Sequence, residues 1–159
     1  KLKQIKPSEA NYSYKYGGAL GMKALEINKF KALGMISEIR ESFEKAIKLN
    51  PAHIDARWAL IELYIKLPGI VGGSETKALK YSSELSKISS VDGYLSRGHI
   101  DEYYRRYEAA ERQYKKAFSV GYSKVSCQKL ANLYKNKMNE PERAKIIWDE
   151  FNKKNKVIK

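Results

Sequence analysis

"YEAAERQYKKAFSVG", residues 107–121, is the stretch on which the reading of the fold turns. Tyr107, Ala110, Tyr114 and Ala117 follow one another at steps of three, four and three residues, which places them along one face of a helix. The aromatic-x-x-Ala element at its centre, Tyr114 with Ala117, occurs earlier as Phe43 with Ala46 inside "SEIRESFEKAIKLNP", residues 37–51. A degenerate copy, Ser82 with Leu85, lies between them, and Trp148 with Phe151 stands in the same relation near the end. The first members of these pairs are 39, 32 and 34 residues apart. A fixed period of this size is the mark of stacked supersecondary units, each too small to bury its apolar face alone.

A second anchor precedes each pair. Tyr14-x-x-x-Gly18 recurs as Tyr94-x-x-x-Gly98, and Leu60 with Tyr64 recurs as Leu130 with Tyr134. Small residues at Gly18, Gly98 and Ala131 on the first helix of a unit, and at Ala46, Ala110 and Ala117 on the second, allow two helices to approach closely. The aromatics then fill the spaces between hairpins. This predicts large burial for Phe43, Tyr114 and Trp148.

On these residues the chain resembles the tetratricopeptide repeat (TPR) family, whose units are helix hairpins of about 34 residues. Tyr94, Gly98, Tyr107, Ala110, Tyr114 and Ala117 fit its pattern best. Tyr14, Gly18, Phe43, Ala46 and Pro51 fit it with an insertion of about nine residues around "EINKFKALG". Leu60 and Tyr64 match before the second unit departs. Leu130, Ala131, Tyr134, Ala144 and Trp148 match with about one extra residue in the turn. The resemblance implies an all-α fold, a right-handed solenoid of about four antiparallel hairpins over units near 11–51, 54–90, 91–123 and 124–155, in one domain with a basic C-terminal tail. No sheet is expected. The first helix is expected to run past Gly21 to near Leu33, with Gly34 as the next breaker.

Within the second unit lies "LPGIVGGSETKAL", residues 67–79. A phosphate-cradling loop needs Gly-x-x-x-x-Gly-Lys-Ser/Thr after a strand. Gly69 and Gly73 are too close, Ser74 stands where the lysine belongs, and no strand precedes. The stretch reads as punctuation. Pro68 ends a helix that begins near Asp55, and Ile70 with Val71 forms an apolar plug. Gly72 and Gly73 supply special backbone geometry, and Ser74 caps the next helix. An enlarged loop of this kind is similar to one in a subset of bacterial TPR proteins, which implies a structural subtype and no activity.

Composition narrows the function classes. The 159 residues are 43% hydrophobic and 31% charged, neither disordered nor membrane-spanning in character. The single cysteine, Cys127, admits no intramolecular disulfide, and the two histidines, His53 and His99, have no ligand cluster around them, so no metal is expected. No nucleophile motif or acid–base constellation emerges, so no enzyme and no cofactor is expected. Asp101 with Glu102, and Glu108 with Glu111, read as surface ion-pair partners. The chain starts at Lys1, as an excerpt or a processed form does, one exported after signal-peptide removal included; a soluble protein is expected, and the compartment is left open.

The net charge of +13 is uneven: +5 over residues 1–48, +2 over 49–122 and +6 over 123–159, where "NKKNKVIK" reads as a frayed basic tail. In TPR arrays the first helices line a concave groove that holds a peptide or a partner's helix. Carried over residue by residue, the resemblance implies partner contacts at Tyr12, Lys15, Met22 and Lys23. The second unit adds Asp55, Trp58, Glu62 and Ile65, and the third Asp92, Leu95, His99, Glu102 and Tyr103. Val125, Gln128, Asn132 and Asn136 follow from the fourth. Trp58, Leu95 and Tyr103 are the expected apolar anchors, with carboxylates between them suited to basic side chains. The subclass that clamps a C-terminal carboxylate is not matched: Lys15 fits, but Ala19, Ala59, Asp92 and Ser96 occupy the other positions. The expected partner is a protein or peptide. The alternative is electrostatic binding of an acidic partner, RNA or an anionic membrane surface by the basic ends.

Overall fold

The structure is a computed structural model and describes residues 7–157. Among the described residues eight α-helices follow in order: α1 (Pro7–Glu26), α2 (Lys29–Leu49), α3 (Ile54–Lys66), α4 (Glu75–Ile88), α5 (Ser90–Tyr103), α6 (Tyr107–Gly121), α7 (Lys124–Asn136) and α8 (Pro141–Val157). A short 3₁₀ turn, Gly69–Val71, precedes α4, and the described residues contain no strand. Neighbouring helices pack in consecutive pairs, as an all-α helical repeat array requires: α1 on α2, α5 on α6, α7 on α8. The chain divides into two compact units, Lys1–Tyr81 and Ser82–Lys159.

In the first unit the helices of the opening pair are long, 20 and 21 residues, whereas α3 has 13. The insertion is therefore shared between both arms of a hairpin. The first helix passes Gly21 but stops at Glu26 instead of near Leu33, and Gly34 lies inside α2. The reason is Asn28, whose side-chain oxygen accepts the Phe30 N–H at 2.8 Å and starts a new helix. An N-cap overrides a mid-helix glycine, because glycine only raises the cost of a turn whereas a cap replaces the missing partner of an end.

The pairing register in this hairpin also differs by one residue from the expectation. A Cβ on Gly17 would meet the Phe43 ring at 2.9 Å, while one on Gly18 would meet nothing within 4 Å. In the second unit Gly98 is the residue pressed against Tyr114, a Cβ there lying 2.5 Å from the ring. Gly17, not Gly18, is thus the counterpart of Gly98.

At the next junction α3 is capped by His53, whose Nδ1 accepts the Ala56 N–H at 3.2 Å while its ring lies 5.2 Å from that of Tyr14. Burial lowers the His53 pKa below the ordinary 6.5; Asp55 opposes this and Arg57 adds to it. The folded chain therefore binds this proton less well than the unfolded one. The cap's contribution is complete above pH 6.5 and is lost as the pH falls toward the lowered value. His53→Asn keeps a capping acceptor without a titrating group. Its melting temperature is expected to fall less than that of the wild type between pH 7 and 5, and parallel curves would refute the assignment.

The loop after α3 behaves as punctuation. Gly72 has φ +100, the Gly73 N–H reaches the Pro68 carbonyl at 3.1 Å, and the Ser74 N–H reaches that of Tyr64 at 2.9 Å. Ser74 Oγ accepts the Lys77 N–H at 3.3 Å as the cap of α4. A Cβ on Gly73 would fall 1.8 Å from the Leu67 carbonyl oxygen, so only glycine fits. The expected plug is only half present: Val71 is half-buried, but Ile70 is 95% exposed, because a three-residue 3₁₀ turn directs neighbouring side chains to different sides.

In the second unit Tyr114 and Tyr134 are fully buried, and Ser82 Oγ lies 2.8 Å from Ser96 Oγ where α4 meets α5. Phe43 and Tyr114 are buried as expected, but Trp148 is only half-buried. It lies on α8, which packs against α7, and its ring meets that of Phe151 edge-on at 6.0 Å. The basic tail is not frayed up to residue 157: α8 continues through Val157, and Ile158 and Lys159 lie outside the described residues.

Candidate functional site

The helix faces carry the candidate residues, and each unit offers one concavity of interest. In the first unit the overhanging part of the α1–α2 hairpin meets α3 and the loop after it. Because α3 has fewer residues than either partner helix, the stretch from Met22 to Ile36 extends past its cover. The result is a groove of about 820 Å³. Its floor is small, with Gly18, Gly21, Ala32 and Ala59, and its walls are apolar, with Met22, Leu25, Leu33, Ile36, Leu63 and Val71. Met22 is 68% exposed and Leu25 88%. Phe30, 84% exposed, stands at the hairpin end. The polar groups at the rim pair with each other, Glu62 with Lys66 at 2.8 Å.

Gly18 and Gly21 carry information beyond their place in the floor. Both are helix-interior residues without a positive φ, and a Cβ on either would meet nothing within 4 Å. A helix-interior glycine costs roughly 1 kcal/mol relative to alanine. Among the described residues neither close packing nor backbone geometry accounts for these two.

In the second unit α5, the turn after it, α6 and α7 surround a polar trough of about 320 Å³. His99, Glu102 and Tyr103, three of the predicted contact residues, come together there with Arg105, Tyr107, Lys129 and Lys137. Glu102 accepts the Tyr114 hydroxyl at 2.8 Å. Tyr103, 46% exposed, meets the Tyr104 ring edge-on at 5.2 Å.

Other predicted contact residues are placed differently. Leu95 is 6% exposed and Ile65 3%, so neither is available as an anchor. α5 packs on both α6 and α7, and a Cβ on Gly93 would strike Ser86 of α4, so more than one face of α5 is interior. Tyr12 lies with Tyr16, Glu38 and Lys45 in a hollow between α1 and α2, away from the groove beside α3, because the register differs by one. Trp58 is half-buried, Asp55 and Lys15 are exposed, and Gln128 and Asn132 lie exposed on α7. Asp92 is drawn into the α5 cap, receiving the Ser89 hydroxyl at 2.6 Å. Glu62, Glu102 and Asp92 are thus engaged within the chain, and of the four groove carboxylates Asp55 alone is exposed. The overhang walls, Leu25 and Leu33 among them, were missed by sequence reasoning. Their signal was a second apolar stripe inside the insertion.

The carboxylates read as surface partners divide. Asp101 is 2% exposed and held by Arg97 and Arg106, so it is a buried structural anion. Glu111 is hydrogen-bonded by Lys115, Tyr134 and Arg143. Burial pushes its pKa up, but those donors outweigh burial and hold it below the usual range. Cys127 is fully buried, and burial, with Glu150 adding, pushes its thiol up to about 11, far from a reactive thiolate. Among the described residues no group of three or more His, Cys, Asp or Glu side chains is arranged to hold a metal, and no helix is long and apolar enough to cross a membrane. No protein-family model matches the chain, and comparison with curated proteins finds no similar sequence.

Proposed function

We propose that the chain is a TPR-like interaction scaffold that holds an amphipathic helix of a partner protein in the apolar groove of its first unit. The observation that carries this is the open glycine floor. Gly18 and Gly21 clear a path for an approaching backbone, while Met22, Leu25 and Leu33 form the exposed walls. A contiguous apolar surface of this kind is rare on a chain with no use for it. From Gly18 to Leu25 the groove runs two helical turns, about 10 Å, which matches apolar anchors at i, i+3 or i+4, and i+7 of a partner helix.

The test sets stability against binding. Gly18→Ala with Gly21→Ala is expected to stabilise the fold by about 1–2 kcal/mol, because each removes a helix-interior glycine. The same change fills the floor. Peptides selected from a displayed helical library on the wild-type chain are expected to lose at least tenfold in affinity for this variant, and for Met22→Glu with Leu25→Glu. If the selected peptides bind all three proteins equally, the groove is not the site and the reading fails.

A further inference from the structure

We infer that the polar trough of the second unit is a distinct binding site for an extended acidic peptide segment, beyond the helix-binding groove proposed for the first. Three cations from two parts of the fold converge on it: Arg105 from the turn between α5 and α6, Lys129 from α7, and Lys137 from the end of α7. Among the described residues none of the three pairs with a carboxylate, although the same unit pairs Arg97, Arg106, Lys115 and Arg143 with acids. Three cations without an ion-pair partner around one concavity, against the single carboxylate of Glu102, set a positive field there.

Backbone geometry adds a second, independent observation. Arg105 has φ +59, a conformation in which glycine or asparagine is at ease and a long side chain is strained. The turn itself gains nothing from arginine at that position. What arginine supplies is a guanidinium at the mouth of the trough, with the planar fork that grips a carboxylate through two hydrogen bonds.

The dimensions select the form of the ligand. Lys129 and Lys137 are two turns apart along α7, about 12 Å. An extended chain advances about 3.3 Å per residue with alternate side chains on one face, so acidic residues at i and i+4 span the two lysines. Nucleic acid fits less well, because the Tyr103 ring that would stack on a base is already engaged edge-on by Tyr104. The Glu102 carboxylate in the trough is occupied by the Tyr114 hydroxyl.

The probe is fluorescently labelled octaglutamate, with octaglutamine and an eight-nucleotide uridine RNA as comparisons, measured by anisotropy at 0.1 M salt. Wild-type chain is expected to bind octaglutamate at least tenfold more tightly than either comparison. Arg105→Gln, Lys129→Gln and Lys137→Gln together are expected to weaken it at least tenfold. The charge-matched change of the exposed Lys124, Lys135 and Lys145 to glutamine is expected to weaken it less than twofold. Arg105→Gly supplies a readout that a merely structural arginine would not give: Tm rises by about 2–4 °C while octaglutamate affinity falls. Equal losses in the two triple variants, tighter binding of the RNA, or an Arg105→Gly variant of unchanged affinity would overturn the proposal. None of these outcomes depends on the apolar groove, which lies wholly within residues 1–81.

Discussion

Replacing Tyr114 by alanine is expected to destabilise the fold by about 3–5 kcal/mol, the usual cost of truncating a buried aromatic. The side chain is fully buried, its ring lies against Gly98, and its hydroxyl donates to Glu102 at 2.8 Å. Three losses add: apolar area, close packing across α5 and α6, and a hydrogen bond to a carboxylate. Tyr114→Phe isolates the last and is expected to cost about 1–2 kcal/mol. Gly98 provides the cross-check. A Cβ there would stand 2.5 Å from the Tyr114 ring, so Gly98→Ala alone is expected to cost about 1–3 kcal/mol by overpacking. In the Tyr114→Ala background the same methyl enters the space that the ring has left, and its cost is expected to vanish. Urea denaturation of the four proteins measures this. If the two changes are additive, the aromatic and the glycine are not the paired contact that sets the hairpin spacing.

The second large effect concerns Asp101. Its Oδ1 accepts from Arg106 Nε at 2.9 Å, its Oδ2 from Arg97 Nε at 3.3 Å, and its carbonyl accepts the Arg106 N–H at 2.8 Å. The carboxylate ties the last turn of α5 to the start of α6 across the strained Arg105. Asp101→Asn keeps the shape but removes the charge and turns an amide NH₂ toward one of the guanidinium donors. A buried charged hydrogen bond is worth about 1.5–3 kcal/mol, and the substitution is expected to cost that much. Arg97→Ala is expected to cost less than about 1 kcal/mol, since that side chain is 46% exposed and its loss leaves Arg106 in place. Thermal melts of the two variants separate a structural anion from a surface ion pair; equal small shifts would return Asp101 to the surface class.

What the sequence determined by itself is the helical repeat. The recurrence of an aromatic followed three residues later by alanine, at a period near 35 residues, is a local pattern that survives insertion and degeneracy, because burial of one helix face depends only on spacing along that helix. The same locality made Pro68, the Gly72 turn and the Ser74 cap legible. Tertiary structure decided what depends on two segments at once. Whether Gly17 or Gly18 meets Phe43 is set by how two helices slide against each other, and a shift of one residue turned Tyr12 away from the groove and brought Gly18 into it. Whether Leu95 is an anchor or core depends on how many neighbours cover α5. Asp101 reads as one more surface acid until the fold closes two arginines over it. The candidate sites arise in the same way. The groove exists because a lengthened hairpin overhangs a shorter third helix, and the trough because the ends of α5 and α7 bring lysines and an arginine, distant in sequence, around one hollow. Side-chain periodicity is written one helix at a time; register, cover and charge convergence belong to pairs of helices, and only packing fixes them.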